Sequence, residues 1–384
     1  MLRIGFDAKQ LFNNFTGPGN YSRTLLKNLT DYFPDNAYFL YTDKVVKNEE
    51  THFFLNSAFF NVQMPKGQPG LLWRNFGIKR DMRKHKLQLF HGLDHELPVG
   101  LPHLGLKSVV TIHDLSFLRF PDHYPFWTRR IRTARTRHAC EQADRIVAIS
   151  EHTKRELMHF YDLPAEKISV IYQSCHERYM QEKPNKTRTA VRKRYQLPAN
   201  YMLSVGSITQ RKNLLGVVKA LALLPESERL PLVVVGRGGA YRRVVQNYIE
   251  SKGLKPWVQF ADVAFDDLPA VYQSANLFVY PSLYEGFGIP ILEALFSQVP
   301  VLTSNTSSLP EAGGPGAHLV DPTSPEAIAE GMKRLLTEES YRNDLVQKGY
   351  AHAQQFRGEA LTDQMMKLYK ELIGEEDLVP EAIT

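Results

Sequence analysis

Short apolar runs, each followed by a polar or amphipathic stretch, recur along the whole sequence. In the first half, Leu2–Phe6, Leu87–Phe90, Ser108–Ile112 and Arg145–Ile149 read as strands; in the second, Tyr201–Val205, Pro231–Val235, Val258–Phe260, Leu277–Tyr280 and Pro300–Thr303 do so. Between them apolar residues return at helical spacing, as Leu214, Val217, Val218, Leu221 and Leu224 do after Asn213. Asn213 and Ser150 stand where an N-cap is expected. Strands alternating with helices predict βα units stacked into parallel sheets, so the fold class is α/β. Near Pro164 to Pro198 the pattern loosens into a charged stretch containing Glu182-Lys183-Pro184-Asn185-Lys186. This places a linker at 181–196 between domains at 1–180 and 197–356, with a final amphipathic stretch, 357–375, that no strand follows.

Length agrees with that division, since 384 residues exceed one ordinary core. Two cysteines, Cys140 and Cys175, supply neither a disulfide framework nor a cysteine-rich metal site, and a reducing cytoplasm is expected. No apolar run approaches the length of a membrane span, and the N-terminus does not read as a signal peptide. The net charge of +6 is uneven: residues 1–190 carry 28 Lys and Arg against 19 Asp and Glu, the remainder 19 against 22. A basic first half suits nucleic acid, an anionic membrane or a phosphorylated substrate equally well.

The densest chemistry lies in Tyr280-Pro281-Ser282-Leu283-Tyr284-Glu285-Gly286-Phe287-Gly288-Ile289-Pro290-Ile291-Leu292-Glu293. A strand ends, Gly286 and Gly288 let backbone approach a ligand, and Pro290 opens a helix whose N-terminus suits a phosphate. Glu285 in the loop and Glu293, expected in the first helical turn, reach different parts of one extended ligand. The same layout recurs from Ser204 to Asn213, where Arg211 and Lys212 precede a helix; a fork and a point charge together suit a diphosphate. Taken singly, each feature also reads as ordinary surface: a cation pair before a helix, or a glutamate favouring the helix dipole. Gly236-Arg237-Gly238-Gly239 is not a dinucleotide fingerprint, because Tyr241 stands where the third glycine belongs. The first half adds a glycine turn, Gly17-Pro18-Gly19-Asn20-Tyr21, and His113-Asp114 at a strand end.

Together these segments resemble the retaining, nucleotide-sugar-dependent glycosyltransferases of family 4, or group 1, which have the two-Rossmann GT-B fold. The resemblance rests on Glu285-x7-Glu293, on Gly206-x4-Arg211-Lys212-Asn213, on the Gly17 to Tyr21 loop, and on His113-Asp114-Leu115 and Ser150-Glu151-His152-Thr153, spanning most of the chain. It implies two Rossmann-like domains flanking a cleft, with the terminal helix packing back on the first. Two segments depart from the family pattern: Ser207 stands where many members carry arginine, and Pro18 and Asn20 replace the usual Ile and Arg.

The resemblance implies a nucleoside-diphosphate sugar as donor substrate, GDP-mannose ahead of a UDP-sugar. Arg211, Lys212, Gly17, Gly19 and the backbone at Gly286, Phe287 and Gly288 would serve the donor, with Glu293 on the ribose. Glutamates belong on neutral hydroxyls because a carboxylate repels phosphate. Catalysis falls to His113, Glu285 and Lys212, with same-face attack; a covalent intermediate on Asp114 is the alternative mechanism. No metal and no separate cofactor is expected, since cations and helix termini carry the neutralisation. The acceptor is a glycan or lipid-linked glycan, in surface polysaccharide or glycolipid synthesis. A catalytically silent nucleotide-sugar scaffold is the competing function, whereas a dehydrogenase lacks its fingerprint. Phe126-Trp127-Thr128-Arg129-Arg130-Ile131-Arg132-Thr133-Ala134-Arg135-Thr136-Arg137 places five arginines within nine residues beside two aromatics, and Trp73 to Arg80 mixes charge and rings similarly. Such a helix suits the cytoplasmic face of an anionic membrane, or is an exposed basic helix with Ile131 and Ala134 turned inward. Nucleic acid is not an expected partner, because no binding motif accompanies the charge.

Overall fold

The computed structural model describes residues 1–65, 67, 70 and 73–375. The chain divides into two compact units, Met1–Gln173 with the C-terminal segment from Gly358, and Ser174–Arg357. The first unit is a seven-stranded parallel sheet of β1 (Arg3–Asp7), β2 (Ala37–Tyr41), β3 (Phe60–Gln63), β4 (Leu89–Gly92), β5 (Lys107–Ile112), β6 (Arg145–Ala148) and β7 (Ile168–Val170) in the order β3-β2-β1-β4-β5-β6-β7. The second holds six parallel strands, β8 (Met202–Val205), β9 (Leu232–Val235), β10 (Val258–Ala261), β11 (Leu277–Tyr280), β12 (Val301–Ser304) and β13 (Ala317–Val320), in the order β10-β9-β8-β11-β12-β13. Both are Rossmann-like α/β domains.

Each sheet is buried on both faces, which is why its central strands read as unbroken apolar runs. In the first unit Phe6, Leu26, Leu40 and Tyr369 pack on one face, and Phe90, Val110, Ile112 and Ile146 on the other. Tyr369 lies on the helix Gly358–Ile373, which joins the first unit's core. Its hydroxyl contacts His91 Nδ1 at 2.6 Å, and His91 Nε2 meets Thr111 Oγ1 at 2.8 Å.

All nine expected strands are present, with ends shifted by one or two residues. Several local expectations change. Residues 185–194, expected within a linker, form a helix that packs against Leu268–Tyr272. Asn213 does not cap with its side chain; it adopts the left-handed conformation (φ 58°) and its amide donates to the Pro281 and Pro322 carbonyls at 3.0 and 2.7 Å. Ser150 does cap, accepting from the Thr153 N–H at 3.0 Å. Gly17 to Tyr21 is the first turn of a helix, Gly17–Tyr32, not a free loop. A Cβ at Gly19 would collide with the Asn14 carbonyl, so only glycine fits there.

Candidate active site

In open parallel sheets, ligands bind beyond the carboxyl ends of strands where the strand order reverses. In the second unit that point lies between β8 and β11, and the loops leaving these two strands carry Gly206–Asn213 and Pro281–Gly288. Gly288 leads into the helix Ile289–Phe296 with φ +122°, a conformation that L side chains rarely adopt. Pro290 occupies the second helical position, and Glu293 is the fifth residue, beyond the first turn where it was expected.

Arg211 and Lys212, from the first loop, converge on Glu285 in the second. Lys212 Nζ lies 2.6 Å from Glu285 Oε1 and Arg211 Nη1 2.7 Å from Oε2. Ser282 Oγ and the Tyr280 hydroxyl donate to Oε1 at 2.5 and 3.1 Å, and Lys212 also donates to the Tyr280 hydroxyl. Glu285 is only 7% exposed. Burial alone would raise its carboxyl; Lys212 and Arg211 reverse that and hold it at about 2, so it is a carboxylate at neutral pH. Its loop is pinned by two serines: Ser307 Oγ accepts from the Glu285 N–H at 3.1 Å, and Ser308 Oγ donates to the Glu285 carbonyl at 2.8 Å. One buried carboxylate thus holds two cations side by side, Arg211 and Lys212 keeping 27% and 18% of their side-chain surface exposed.

Phe287 was expected to serve a ligand through its backbone alone, and its side chain is placed accordingly. Its ring is buried against Phe356, centroids 5.3 Å apart, so it anchors the loop and has only backbone to offer a ligand.

Glu293 faces tyrosines. The Tyr272 hydroxyl donates to its Oε2 at 2.7 Å. The buried Tyr179 hydroxyl lies near the same carboxylate without completing a hydrogen bond. Burial raises the Glu293 carboxyl to about 7, against the lowering effect of the tyrosine hydroxyls and Arg178. Glu285 and Glu293 thus differ in charge state, one ionised by cations and the other poised near neutrality.

In the first unit the order reverses between β1 and β4, and His113 follows β5, next to β4. His113 Nε2–H donates to the Leu93 carbonyl at 2.9 Å, and the Gln173 amide donates to Nδ1 at 3.1 Å, which places the ring proton on Nε2. Tyr21 packs edge-on against the ring at 4.9 Å between centroids. The His113 backbone N–H donates to His95 Nε2 at 3.1 Å, and burial pushes His95 down to about 4, so it accepts as a neutral ring. The imidazole is therefore a fixed, positioned group. Asp114 holds the next turn instead, accepting from the Ser116 N–H and hydroxyl at 2.9 and 2.6 Å.

Sequence reasoning missed Tyr280, Ser282, Tyr272 and Gln173. Tyr280 and Ser282 lie within the segment already singled out, so that signal was present; Tyr272 and Gln173 sit on distant elements and carry none. Among the described residues no group of three His, Cys, Asp or Glu side chains could hold a metal ion.

Comparison with known proteins agrees with this layout. Residues 187–352 match the family model of glycosyl transferases group 1, and residues 21–174 that of glycosyltransferase family 4. The chain is 33% identical over 293 residues to the O-antigen chain mannosyltransferase B of Escherichia coli, covering 75% of this chain and 76% of that one. Among solved structures, a sucrose-phosphate synthase from Thermosynechococcus elongatus superposes with a TM-score of 0.78 at 20% identity, over 98% of this chain and 100% of the other. The Anabaena protein HepE in complex with UDP superposes with a TM-score of 0.77 at 17% identity, over 97% of this chain and 100% of the other. These two likenesses establish the shared fold.

Proposed function

The chain belongs to the group 1, family 4 glycosyltransferases of GT-B fold, and from that premise we propose that it is a retaining hexosyltransferase using GDP-mannose to extend a surface glycan. The observation that carries this reading is the convergence of Arg211 and Lys212 on Glu285 at the strand-order reversal of the second unit. The name of its mannosyltransferase relative supports mannose and an O-antigen-type acceptor, glycan or lipid-linked. A UDP-sugar is the second reading, favoured by the UDP bound in HepE.

In this proposal the diphosphate rests on Lys212 and Arg211, beside the backbone of Gly286, Phe287 and Gly288; Gly17 and Gly19 are left out, because the Gly19 Cα packs against the Asn14 carbonyl of its own unit. Glu293 accepts from the ribose hydroxyls and Glu285 from a sugar hydroxyl. As the bond from sugar C1 to the β-phosphate oxygen breaks, its electron pair stays on the diphosphate. Preorganised cations gain most where that charge grows, so they lower the barrier more than they tighten the ground state. The acceptor oxygen bonds to C1 from the same face and its proton passes to the departing phosphate oxygen. His113, fixed by Leu93 and Gln173, positions the sugar. Asp114 has a turn-holding role, its Oδ1 accepting both Ser116 hydrogen bonds, which supports the same-face route over a covalent intermediate. Neutralisation by side-chain cations requires no metal in this scheme.

The test is NMR of the product formed from GDP-α-mannose and a mannosyl acceptor. An α-linked product supports the reading and a β-linked one refutes retention. Tight nucleotide-sugar binding without transfer or hydrolysis would mark a silent scaffold. In His113→Ala, kcat falls while nucleotide affinity is kept.

A further inference from the structure

Two helices of the chain are strongly basic, and the structure gives them different surroundings. On Phe126–Gln142, Ile131 and Ala134 face outward, against the inward placement expected of them. Arg135 pairs there with Glu96 at 3.2 Å, Arg137 approaches Glu141 at 3.9 Å, and Arg132 covers the Phe117 ring. Residues 73–80 present no comparable surface, since the buried Trp73 indole donates to Asp81 at 2.8 Å and Arg74 pairs with Asp7 at 2.5 Å. The second basic helix, Asn185–Arg194, carries Lys186, Arg188, Arg192, Lys193 and Arg194 within 10 residues and no acid. Arg194 meets Asp267 at 2.5 Å, whereas Arg188 and Arg192 form no ion pair among the described residues.

Asn185, Arg188, Thr189 and Arg192 stand at i, i+3, i+4 and i+7, so they share one face of this helix. That face, with Gln273 and Ser274 opposite, lines a cavity of about 230 Å³, and no Asp or Glu among the described residues lines it. Arg188 Nη1 donates to the Gln273 carbonyl at 3.2 Å, while its Nε–H is buried without a hydrogen-bond partner. Arg192 makes a long contact, 3.4 Å to the Ala199 carbonyl. The Gln273 side chain is committed to backbone, accepting from the Lys183 N–H and donating to the Gln181 carbonyl, both at 2.8 Å. Ser274 Oγ donates to the Ala270 carbonyl at 2.7 Å. The capacity left in the wall is therefore dominated by donors: the Arg188 Nε–H, the rest of the two guanidinium groups, the Asn185 amide and the Thr189 hydroxyl. An orphaned buried donor is costly, and so are two like charges on one wall. One oxyanion removes both penalties.

We propose that this cavity binds a phosphate group, either the free ion or the head of a small phosphomonoester. Two guanidinium forks, an amide and a hydroxyl offer donors on several sides, which a tetrahedral dianion uses more fully than a planar carboxylate. The volume lies below the ~300 Å³ at which pockets for larger ligands begin, so it takes phosphate with a small substituent and not a nucleotide. The place in the fold is new as well. Ala199 and Ser274 precede β8 and β11, whereas the loops of the donor site follow those strands; at 4 residues per strand the two ends lie about 13 Å apart. The cavity is thus separate from Arg211 and Lys212, and it does not depend on the reading of the donor or the reaction.

Isothermal titration at low salt, with inorganic phosphate and methyl phosphate as probes, tests the proposal. Lys212→Ala, which weakens the other anion site, should still bind phosphate here. R188Q/R192Q should lose at least about a hundredfold in affinity, about tenfold for each charge-assisted contact. Acetate should bind at least about tenfold more weakly than phosphate. Tighter binding of the ester identifies a phosphorylated molecule as the occupant; equal or tighter binding of the ion identifies free phosphate. In NMR spectra of isotope-labelled protein, the Arg188 Nε–H resonance, assigned by its loss in R188Q, should shift when phosphate is added to Lys212→Ala. R192Q leaves the Arg188 contact to Gln273 in place, so it should melt like the wild type and bind about tenfold more weakly, which keeps the test valid if the double variant fails to fold. Absence of phosphate binding in Lys212→Ala, unchanged affinity in R192Q, or an unmoved Arg188 resonance would overturn the proposal. Acetate binding as tightly as phosphate would overturn it too.

Discussion

Replacing Glu285 by Gln keeps its shape but removes the charge between Lys212 and Arg211. An ordinary glutamate carboxyl titrates at 4.5, burial would raise it further, and the two cations hold it at about 2. At ~1.4 kcal/mol for each tenfold change in proton affinity, that gap is worth about 3 kcal/mol of stability at pH 7. The cost falls in the range of about 3–5 kcal/mol for breaking a buried ion pair. For a domain of this size Tm drops about 2–4 °C per kcal/mol, so Glu285→Gln should melt about 6–12 °C below the wild type. Because the folded carboxyl lies below its unfolded value, its contribution is complete above about pH 4.5 and is lost as the pH falls towards 2. The difference between the two proteins should therefore shrink to less than about half by pH 3. A nucleoside diphosphate that takes the carboxylate's place between the cations should stabilise Glu285→Gln at least as much as the wild type. Calorimetric melts at pH 7 and pH 3, with and without GDP, measure all three quantities. Equal Tm values at pH 7, or a difference that does not narrow in acid, would refute the reasoning.

Three further outcomes follow from the same geometry. Tyr272→Phe removes the hydroxyl that holds Glu293 Oε2 at 2.7 Å; affinity for a ribonucleoside diphosphate should fall about tenfold, whereas a 2′,3′-dideoxy analogue should bind both proteins equally, and equal losses for the two ligands would remove Glu293 from the ribose. Since the Glu293 carboxyl titrates near 7 and must lose its proton to accept from two hydroxyls, titration calorimetry should show nucleotide affinity rising with pH through about 7, by at most about tenfold per pH unit, and a flat profile in Glu293→Gln; a flat wild-type profile contradicts the assignment. Tyr369→Phe leaves the buried His91 Nδ1 without its partner at 2.6 Å and should cost about 1–3 kcal/mol in urea unfolding; no change in midpoint would show that the contact contributes nothing.

The sequence exposes those features whose physics is local. Central strands such as Ser108–Ile112 and Leu277–Tyr280 are buried on both faces and read as apolar runs. Of the four overlooked strands, β3, β7 and β13 lie at sheet edges, where exposed or half-exposed residues such as Asn61, Ser169 and His318 interrupt the run. β2 lies inside the sheet and is itself an apolar run, so its signal was present and was passed over. The second-unit site was legible because glycine, proline, cation and carboxylate stand at short range in two loops. Its supports were not, since Tyr272 reaches Glu293 from 21 residues away and Ser307 reaches Glu285 from 22. The same limit explains Asn213: residue type suggested a cap, but its amide is drawn to the Pro281 and Pro322 carbonyls, contacts that only the folded chain creates.

The account depends most on the claim that Arg211 and Lys212 receive a donor's diphosphate. Isothermal titration of GDP and UDP into the wild type and into Lys212→Ala tests it directly. One nucleotide should bind the wild type, and the substitution should weaken it by at least about tenfold, the loss of one charge-assisted contact of ~1.5–3 kcal/mol. Unchanged affinity in folded Lys212→Ala would contradict the claim.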